Sequence, residues 1–523
     1  MMRFLVVCAA FFLVAGAILS AAASPEIAGL PEGEAQRLGE IMYREGLLPS
    51  GEPVKAVAMG DIPVDGQMFT CDDCHQRSGI GSVEGNVVTW PTNGKELYKA
   101  RRQTQAFRPP RSERGRKSRR RPLPSFLQKV DARPAYTDET LARVLRLGVD
   151  PAGRRLNPAM PRYILDDRDM AIMVHYLKNL SVVQSPGVDN TTITFATVVT
   201  DGIPEEEREA MLAVLRAYVH ARNVQVRNEE RRAKAGPFYR SERQQSYRRF
   251  KLLVWELTGP PDTWRKQLEA RYREEPVFGL LGGMAAGGWA PIHEYCEENR
   301  IPSIFPLTDL PVLSDTDWYT LYFSKGVYLE GETAAKYLHS VRKFLPDARV
   351  VQVLRNDPKA VALARGFENT WAKWDHPFPE KRILGQEETL TGKLLNEIAR
   401  GKGPAVLLLW IEARDLPAIA ELGRGVDPRT IIFLSSTLLG EDLSVVPDGA
   451  RDRVYLTYPY ILPQEGKVRL NVVKGWLKSR NIPVSNMKNE ARMYFLGWML
   501  SGPIKRIRSE YFREYFLEGF DMM

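Results

Sequence analysis

The sequence is poor in cysteine and histidine, with four cysteines and six histidines in a chain of 523 residues. The cysteines are Cys8, Cys71, Cys74 and Cys296. Because Cys8 lies in an apolar N-terminal run and is expected to be removed, we expect no disulfide framework in the mature chain. A zinc site with four ligands is not expected either, because no second cysteine or histidine pair is present to complete it.

Phosphate-binding glycine loops are also lacking. Gly282, Gly283, Gly287 and Gly288 lie close together, but the stretch has neither a Gly-Lys-Ser/Thr ending nor the Gly-x-Gly-x-x-Gly spacing. We interpret it as a strand-to-helix turn that lines a cleft. The hydrophobic content of 44% is typical of a folded protein, and the length predicts two or three globular units.

The N-terminus has the layout of a secretory signal. Arg3 precedes an unbroken apolar run over residues 4–19, and small residues follow at positions 20–24. Residues 1–23 are therefore predicted to be a signal peptide, cleaved after Ala23, of an exported, periplasmic protein. A retained membrane anchor is the alternative, because about 17 apolar residues can span a bilayer.

The most specific motif is Cys71-Asp72-Asp73-Cys74-His75. Two cysteines with two residues between them, followed at once by a histidine, form the attachment sequence of a c-type haem. We therefore predict one covalent haem c, with Cys71 and Cys74 bonded to the porphyrin and His75 as an axial ligand of the iron. A zinc half-site or a redox dithiol is the alternative interpretation of the motif.

Helical patterns flank this motif. Apolar residues at helical spacing predict a helix before the motif, and Thr137 and Asp166 are predicted to cap two helices after it. This arrangement resembles a class I monohaem cytochrome c. The resemblance implies an all-α domain over residues 30–184, and it implies Met160 as the second axial ligand of the iron.

The same resemblance implies that the first and last helices of the domain cross at Gly39 and Tyr176. Other sulfur and imidazole side chains of this domain are alternatives to Met160. Met170 and Met173 belong to the apolar face of the last predicted helix, and His175 lies in the middle of that helix. We interpret all three side chains as parts of the core.

A basic segment interrupts the predicted cytochrome domain over residues 99–122. It holds eleven Lys or Arg residues and one Glu, so its local charge of +10 accounts for the net charge of +9. Without an apolar period it is not expected to fold. We predict that it contacts an acidic redox partner protein or anionic lipid head groups, or else is a solvated loop. Nucleic acid is not an expected partner of an exported chain.

Short apolar strands alternate with helices after residue 190. Nine strands are predicted, at residues 193–199, 251–257, 277–282, 303–307, 348–354, 383–386, 405–411, 430–435 and 454–458. This alternation predicts parallel sheets covered by helices on both faces. Because residues 190–523 exceed the normal size of one sheet, we expect two lobes.

Residues 190–523 resemble a type 1 periplasmic binding protein of the Leu/Ile/Val receptor class, through positions 277–283, 301–306 and 329–344. The resemblance implies that a small-molecule solute binds between the lobes, near the strand ends. By position alone, it nominates as cleft residues Gly283, Met284, Ala285, Thr308, Trp410, Glu412 and Ser436. It also implies that the chain is truncated at the C-terminus, where this fold commonly has further residues.

Together these features predict a multidomain protein, with an all-α cytochrome c domain followed by an α/β two-lobed domain. The predicted function is an exported c-type cytochrome that transfers single electrons and carries an appended solute- or partner-binding domain. The alternatives are a solute receptor or redox sensor with a mainly structural haem, and the electron-accepting subunit of a periplasmic dehydrogenase. We nominate no catalytic residues and expect no enzyme, because no catalytic constellation and no second haem motif is present.

Overall fold

The computed structural model describes residues 26–84, 87–102, 132–235, 248–345, 347–401, 403–422, 426–440, 446–460, 463–507 and 510–521. The chain divides into two compact units, the first ending at Val183 and the second beginning at Gln184. The predicted signal peptide and most of the basic segment lie outside the described residues. No helix among the described residues is long and apolar enough to cross a membrane.

The first unit combines helices with short strands. Its helices are α1 (Glu32–Arg44), α2 (Cys71–His75), α3 (Gly94–Leu97), α4 (Asp138–Leu147) and α5 (Asp167–Asn179). Its strands are β1 (Glu26–Ile27), β2 (Leu30–Pro31), β3 (Lys55–Ala58), β4 (Ile62–Asp65), β5 (Val83–Glu84), β6 (Val87–Val88) and β7 (Arg162–Ile164). Strand β3 pairs with both β4 and β7 in an antiparallel sheet. The unit is therefore mixed rather than all-α, because strands of three or four residues leave almost no periodic signal.

The predicted helix caps are confirmed. Thr137 Oγ1 accepts a hydrogen bond from the Thr140 amide at 3.2 Å, and Asp166 Oδ1 accepts one from the Asp169 amide at 2.8 Å. Gly148 ends α4 with a left-handed φ of 66°. These side chains and this glycine satisfy the free backbone groups at the helix ends, which fixes where α4 and α5 begin and where α4 stops.

Helices α1 and α5 cross at a close contact between Gly39 and Tyr176. A Cβ atom on Gly39 would lie 2.4 Å from the Tyr176 Cβ, so only glycine allows this approach. The Tyr43 ring packs beside it, with its centroid 5.4 Å from that of Tyr176. The predicted contact between Gly39 and Tyr176 is therefore confirmed.

The second unit contains two sheets of five strands each. The first sheet comprises β8 (Thr192–Thr200), β9 (Arg249–Leu257), β10 (Gly279–Leu281), β11 (Ser303–Ile304) and β12 (Thr320–Leu321). The second comprises β13 (Arg349–Arg355), β14 (Glu380–Leu384), β15 (Ala405–Trp410), β16 (Ile431–Ser435) and β17 (Val454–Thr457). All neighbouring strands in both sheets are parallel.

The two sheets have the same strand order. It is β9-β8-β10-β11-β12 in the first and β14-β13-β15-β16-β17 in the second. In each sheet the order reverses beside the first strand, which is the switch point where doubly wound proteins bind ligands. The predicted α/β architecture with two lobes is therefore confirmed.

Helices cover both sheets. They are α6 (Glu205–Ala235), α7 (Pro261–Glu274), α8 (Ala290–Glu298), α9 (Val327–Val341), α10 (Pro358–Trp371), α11 (Gly392–Ala399), α12 (Pro417–Ala420), α13 (Pro463–Lys478), α14 (Met487–Ile507) and α15 (Arg513–Asp521). The last three helices join the apolar core of the first sheet, around Phe195 and Met493. The chain therefore passes from the first lobe to the second after β12 and returns after β17.

Candidate functional site

The Cys-x-x-Cys-His motif of the first unit forms α2, a single short helix. Thr70 caps it: Thr70 Oγ1 accepts a hydrogen bond from the Asp73 amide, and the Thr70 amide donates to Asp73 Oδ2 at 3.0 Å. This reciprocal cap holds both cysteines and the histidine in one helical turn. None of the described cysteines forms a disulfide; Cys71 is half-buried and Cys74 is exposed.

The imidazole of His75 is oriented by the backbone. His75 Nδ1 lies 2.8 Å from the Trp90 carbonyl oxygen. Because a carbonyl can only accept, Nδ1 carries the proton and the lone pair of Nε2 remains available to a metal. Burial lowers the pKa of His75, which favours the neutral imidazole that a metal requires.

Cys71 and Met160 reach the same apolar core from distant parts of the chain. The Cys71 Sγ also lies 3.5 Å from the Tyr163 hydroxyl. Two thiols can bond covalently to a porphyrin, and an imidazole Nε2 and a thioether can bind its iron, so the residues present fit a c-type haem. Cys71, Cys74, His75 and Met160 would hold the group, which would supply a redox-active iron.

The nominated cleft residues of the second unit lie at the carboxyl ends of the strands. Gly283, Met284 and Ala285 follow β10, and Thr308 follows β11. In the second lobe Trp410 is the last residue of β15, and Glu412 and Ser436 follow β15 and β16. The structure therefore brings each nominated residue to the sheet edge where ligands bind in this architecture.

Several of the nominated residues are buried in the protein interior. Trp410 is 1% exposed, and its Nε1 donates a hydrogen bond to Gln352 Oε1 at 2.7 Å. Ser436 is fully buried, and its amide donates to the Thr457 carbonyl at 3.1 Å. A Cβ atom on Gly283 would lie 2.4 Å from the Trp289 ring. Their observed contacts are with the protein itself.

Two of the residues predicted to line the cleft, Glu412 and Thr308, are closer to solvent. Glu412 is exposed and pairs with Arg414, the two charged groups being 3.0 Å apart. Thr308 is half-buried, and its Oγ1 accepts a hydrogen bond from the Leu310 amide at 3.0 Å. Thr308 immediately precedes the loop that forms the cavity described next, and its role in binding stays a prediction.

A cavity of about 1030 Å³ lies between a loop of the first lobe, residues 309–319, and helices α9 and α10 of the second lobe. Its wall carries apolar side chains, among them Leu310, Val312, Leu313, Val327, Val361 and Ala362. Polar and charged side chains make up more of this wall than apolar ones, and they include His293, Asp309, Tyr322, Lys325, Arg365 and Asn369. A cavity of about this size is typical of small-molecule sites.

Arg365 and Asp315 are exposed charges of this wall. Asp315 contributes, after Glu332, to the raised pKa of Lys325. The Nζ of Lys325 lies 2.9 Å from Glu332 Oε1. A guanidinium and a carboxylate are thus available to a solute, while Lys325 is held by the protein.

Asp309 is the most strongly coordinated charge of the wall. Its carboxylate lies 3.2 Å from Lys359, 4.0 Å from Lys488 and 3.8 Å from Arg492. Burial alone would raise the pKa of Asp309, but the three cations outweigh burial and lower it. Arg492 also reaches the Tyr460 hydroxyl. Since Lys359 belongs to α10, this cluster connects the two lobes.

A chain of hydrogen bonds fixes the loop wall. His293 Nε2 lies 2.9 Å from Asp317 Oδ2, and the Tyr322 hydroxyl lies 3.1 Å from His293 Nδ1. A carboxylate only accepts, so Nε2 carries the proton and Nδ1 accepts from the tyrosine. His293 is 3% exposed, so the loop is anchored to the interior of the first lobe.

The residues that line this cavity were not predicted from the sequence. The predicted site lies on the strand ends, whereas the cavity wall is formed by the strand-to-strand loop after Thr308 and by one face of α10. A signal was available in the long stretch between β11 and β12, which holds three Asp and two Pro and has no helical period.

No protein-family model matches the sequence, and no curated protein matches it. Similar solved structures are an ABC transporter substrate-binding protein from Sphaerobacter thermophilus, an ABC transporter solute-binding protein from R. palustris in complex with benzoate, and a leucine-binding protein from Thermotoga maritima. Their identities are 13%, 14% and 13%, and their TM-scores are 0.45, 0.43 and 0.39. The matches cover 64%, 63% and 63% of this chain, and 86%, 85% and 87% of those chains.

The prediction of a cytochrome that carries electrons is wrong. The similar solved structures are named as a substrate-binding protein, a solute-binding protein and a leucine-binding protein. The fold itself follows from the two strand orders, because each lobe holds one doubly wound parallel sheet. The second unit therefore has a two-lobed α/β fold.

Proposed function

We propose that the second unit binds a small-molecule solute in the cavity between its two lobes. The observation that supports this function is the position of the cavity, whose wall combines the 309–319 loop of the first lobe with α9 and α10 of the second. A solute that contacts both lobes binds their closed arrangement more tightly than an open one. The protein is thus a binding protein rather than an enzyme, and the N-terminal signal layout supports export.

The experiment is a screen for stabilisation of the full chain by solutes. A solute that binds only the folded protein stabilises it by RT ln(1 + [L]/Kd), about 2.7 kcal/mol at a hundredfold excess over Kd. The panel comprises amino acids, short amides, and aliphatic and aromatic carboxylates. A rise in the melting temperature that saturates with concentration supports solute binding. No shift across the panel at millimolar concentration contradicts it.

We also propose that the first unit carries one covalent haem on Cys71 and Cys74, with His75 and Met160 as iron ligands. The hydrogen bond between His75 Nδ1 and the Trp90 carbonyl supports this assignment, because it leaves Nε2 available to iron. The test is expression in a host that attaches haem c, followed by staining for haem after denaturation.

Wild-type protein is expected to retain haem through denaturation. The doubly substituted protein, Cys71→Ala with Cys74→Ala, is expected to lose it. Met160→Ala is expected to keep the haem but to change its visible spectrum, because the sixth ligand is lost. Met68→Ala is the matched control, since Met68 is 75% exposed and precedes the motif. Wild-type protein without covalent haem would refute the assignment.

A further inference from the structure

Two histidines face each other on the surface of the second lobe. His339 lies in the last turn of α9, and His376 follows the 3-10 turn Ala372–Trp374 after α10. His339 Nδ1 lies 3.0 Å from His376 Nε2. The two residues are 37 positions apart, so tertiary packing brings them together.

Two tryptophans hold these rings. The Trp374 ring stacks on His339 with centroids 4.0 Å apart, and the Trp371 ring stacks on His376 with centroids 3.9 Å apart. Each imidazole is thus stacked on one tryptophan ring. This stacking limits the rotation of the imidazoles and so pre-organises the nitrogen pair. His339 is exposed and His376 is half-buried, so the pair is open to solutes.

We propose that His339 and His376 form a binding site for a divalent transition-metal ion such as Ni²⁺ or Cu²⁺. Imidazole nitrogens are preferred ligands of these ions. Two nitrogens bound to one ion at about 2.0–2.1 Å and at a right angle are about 3 Å apart, which matches the observed separation. The metal takes Nδ1 of one ring and Nε2 of the other, after small rotations of the rings.

The histidine pair supplies two nitrogen ligands to the proposed site. Among the described residues, no group of three His, Cys, Asp or Glu side chains could hold a metal. Water therefore fills the other positions, and the site suits ions that bind two imidazoles tightly, in the order Cu²⁺ above Ni²⁺.

The test is a titration of the full chain with Ni²⁺ alone, followed by calorimetry and by tryptophan fluorescence. The wild-type protein is expected to bind one equivalent at the histidine pair with partial quenching, because Trp371 and Trp374 lie against the ligands. His339→Gln and His376→Gln are each expected to weaken that equivalent at least about tenfold. His220→Gln is the control, since His220 is exposed on α6 in the first lobe.

A plain hydrogen bond between the two imidazoles has the same separation, and the titration distinguishes it from a metal site. Equal stoichiometry and affinity in the wild type, His339→Gln and His376→Gln would overturn the proposal. Trp374→Phe keeps both ligands, so it is expected to retain the binding equivalent while part of the quenching is lost. Unchanged quenching in Trp374→Phe would place the bound ion elsewhere. Metal ligands in the first unit are common to all these variants and cancel in the comparison.

Discussion

Asp309 and Lys359 join the two lobes of the second unit, with Asp309 Oδ2 lying 3.2 Å from Lys359 Nζ. Asp309 belongs to the loop after β11 in the first lobe, and Lys359 belongs to the first turn of α10 in the second. Asp309 also lines the cavity. Approach of the lobes and occupancy of the cavity therefore involve the same residue.

Replacing Lys359 by Met is expected to loosen the contact between the lobes. The Lys359 side chain is 41% exposed, so the free energy of unfolding should fall by less than about 1 kcal/mol. The radius of gyration of the solute-free protein, measured by small-angle X-ray scattering, is expected to increase. Lys381→Met is the matched control, because Lys381 pairs with Glu368 at 2.8 Å within one lobe. Equal radii in all three proteins would contradict the connecting role of Lys359.

Asp309 also predicts a dependence of stability on pH. Its pKa in the folded protein lies below the ordinary value of 3.8, so the ionised carboxylate stabilises the fold at pH values above 3.8. This contribution is lost as the pH falls through the lowered pKa. Urea unfolding between about pH 6 and pH 3 should show a smaller loss of stability in Asp309→Asn than in the wild type. The same dependence of the free energy of unfolding on pH in both proteins would show that Asp309 contributes nothing to it.

Gly39→Ala is expected to destabilise the first unit. The added Cβ would lie 2.4 Å from the Tyr176 Cβ, and neither atom can move without a backbone shift, so we expect a loss of about 1–3 kcal/mol. Gly33→Ala on the same helix is the control, because nothing lies within 4 Å of its added Cβ. Hydrogen exchange of the amides in α1 and α5 measures this stability. Equal exchange in the two variants would contradict the close crossing.

Arg355→Met is expected to destabilise the second lobe strongly. Arg355 and Asp415 form a bidentate ion pair whose side chains are 7% and 0% exposed. Removal of the guanidinium leaves Asp415 buried without its partner, which costs about 3–5 kcal/mol. The control Arg382→Met removes an exposed pair with Glu388 and should cost less than about 1 kcal/mol. Urea unfolding measures the free energy of unfolding of both variants. Similar losses of stability in the two would contradict the strong contribution of the buried pair.

The parallel sheets were predictable because several of their strands, such as β8, β15 and β16, are largely apolar runs buried on both faces. Each of the nine predicted strands overlaps an observed strand, such as 405–411 with β15. Strand β12 was missed because two residues, Thr320–Leu321, form no pattern. Strand β14 was predicted three residues too late, because this edge strand is mostly exposed and begins with charged residues.

The cavity could not be predicted in the same way. The position of a strand end can be predicted once the strand is predicted. The contact between the 309–319 loop and α10 is a tertiary contact, which no local sequence pattern indicates. The pattern of α10 shows an apolar helix without showing that Ala362 and Arg365 face a cavity. In the first unit the motif around His75 identified the donor atoms, whereas the carbonyl that orients the ring, on Trp90, became known only from the structure.

The most direct test of the account is calorimetric titration of the wild type, Ala362→Trp and Ala420→Trp with a solute that stabilises the wild type. Ala362 lines the cavity, and an indole there fills the space a solute needs. Ala420 is exposed in α12 of the same lobe, away from the residues that line the cavity. The account predicts that Ala362→Trp abolishes binding and that Ala420→Trp binds like the wild type. Wild-type affinity in Ala362→Trp would show that the solute binds elsewhere and would contradict the account.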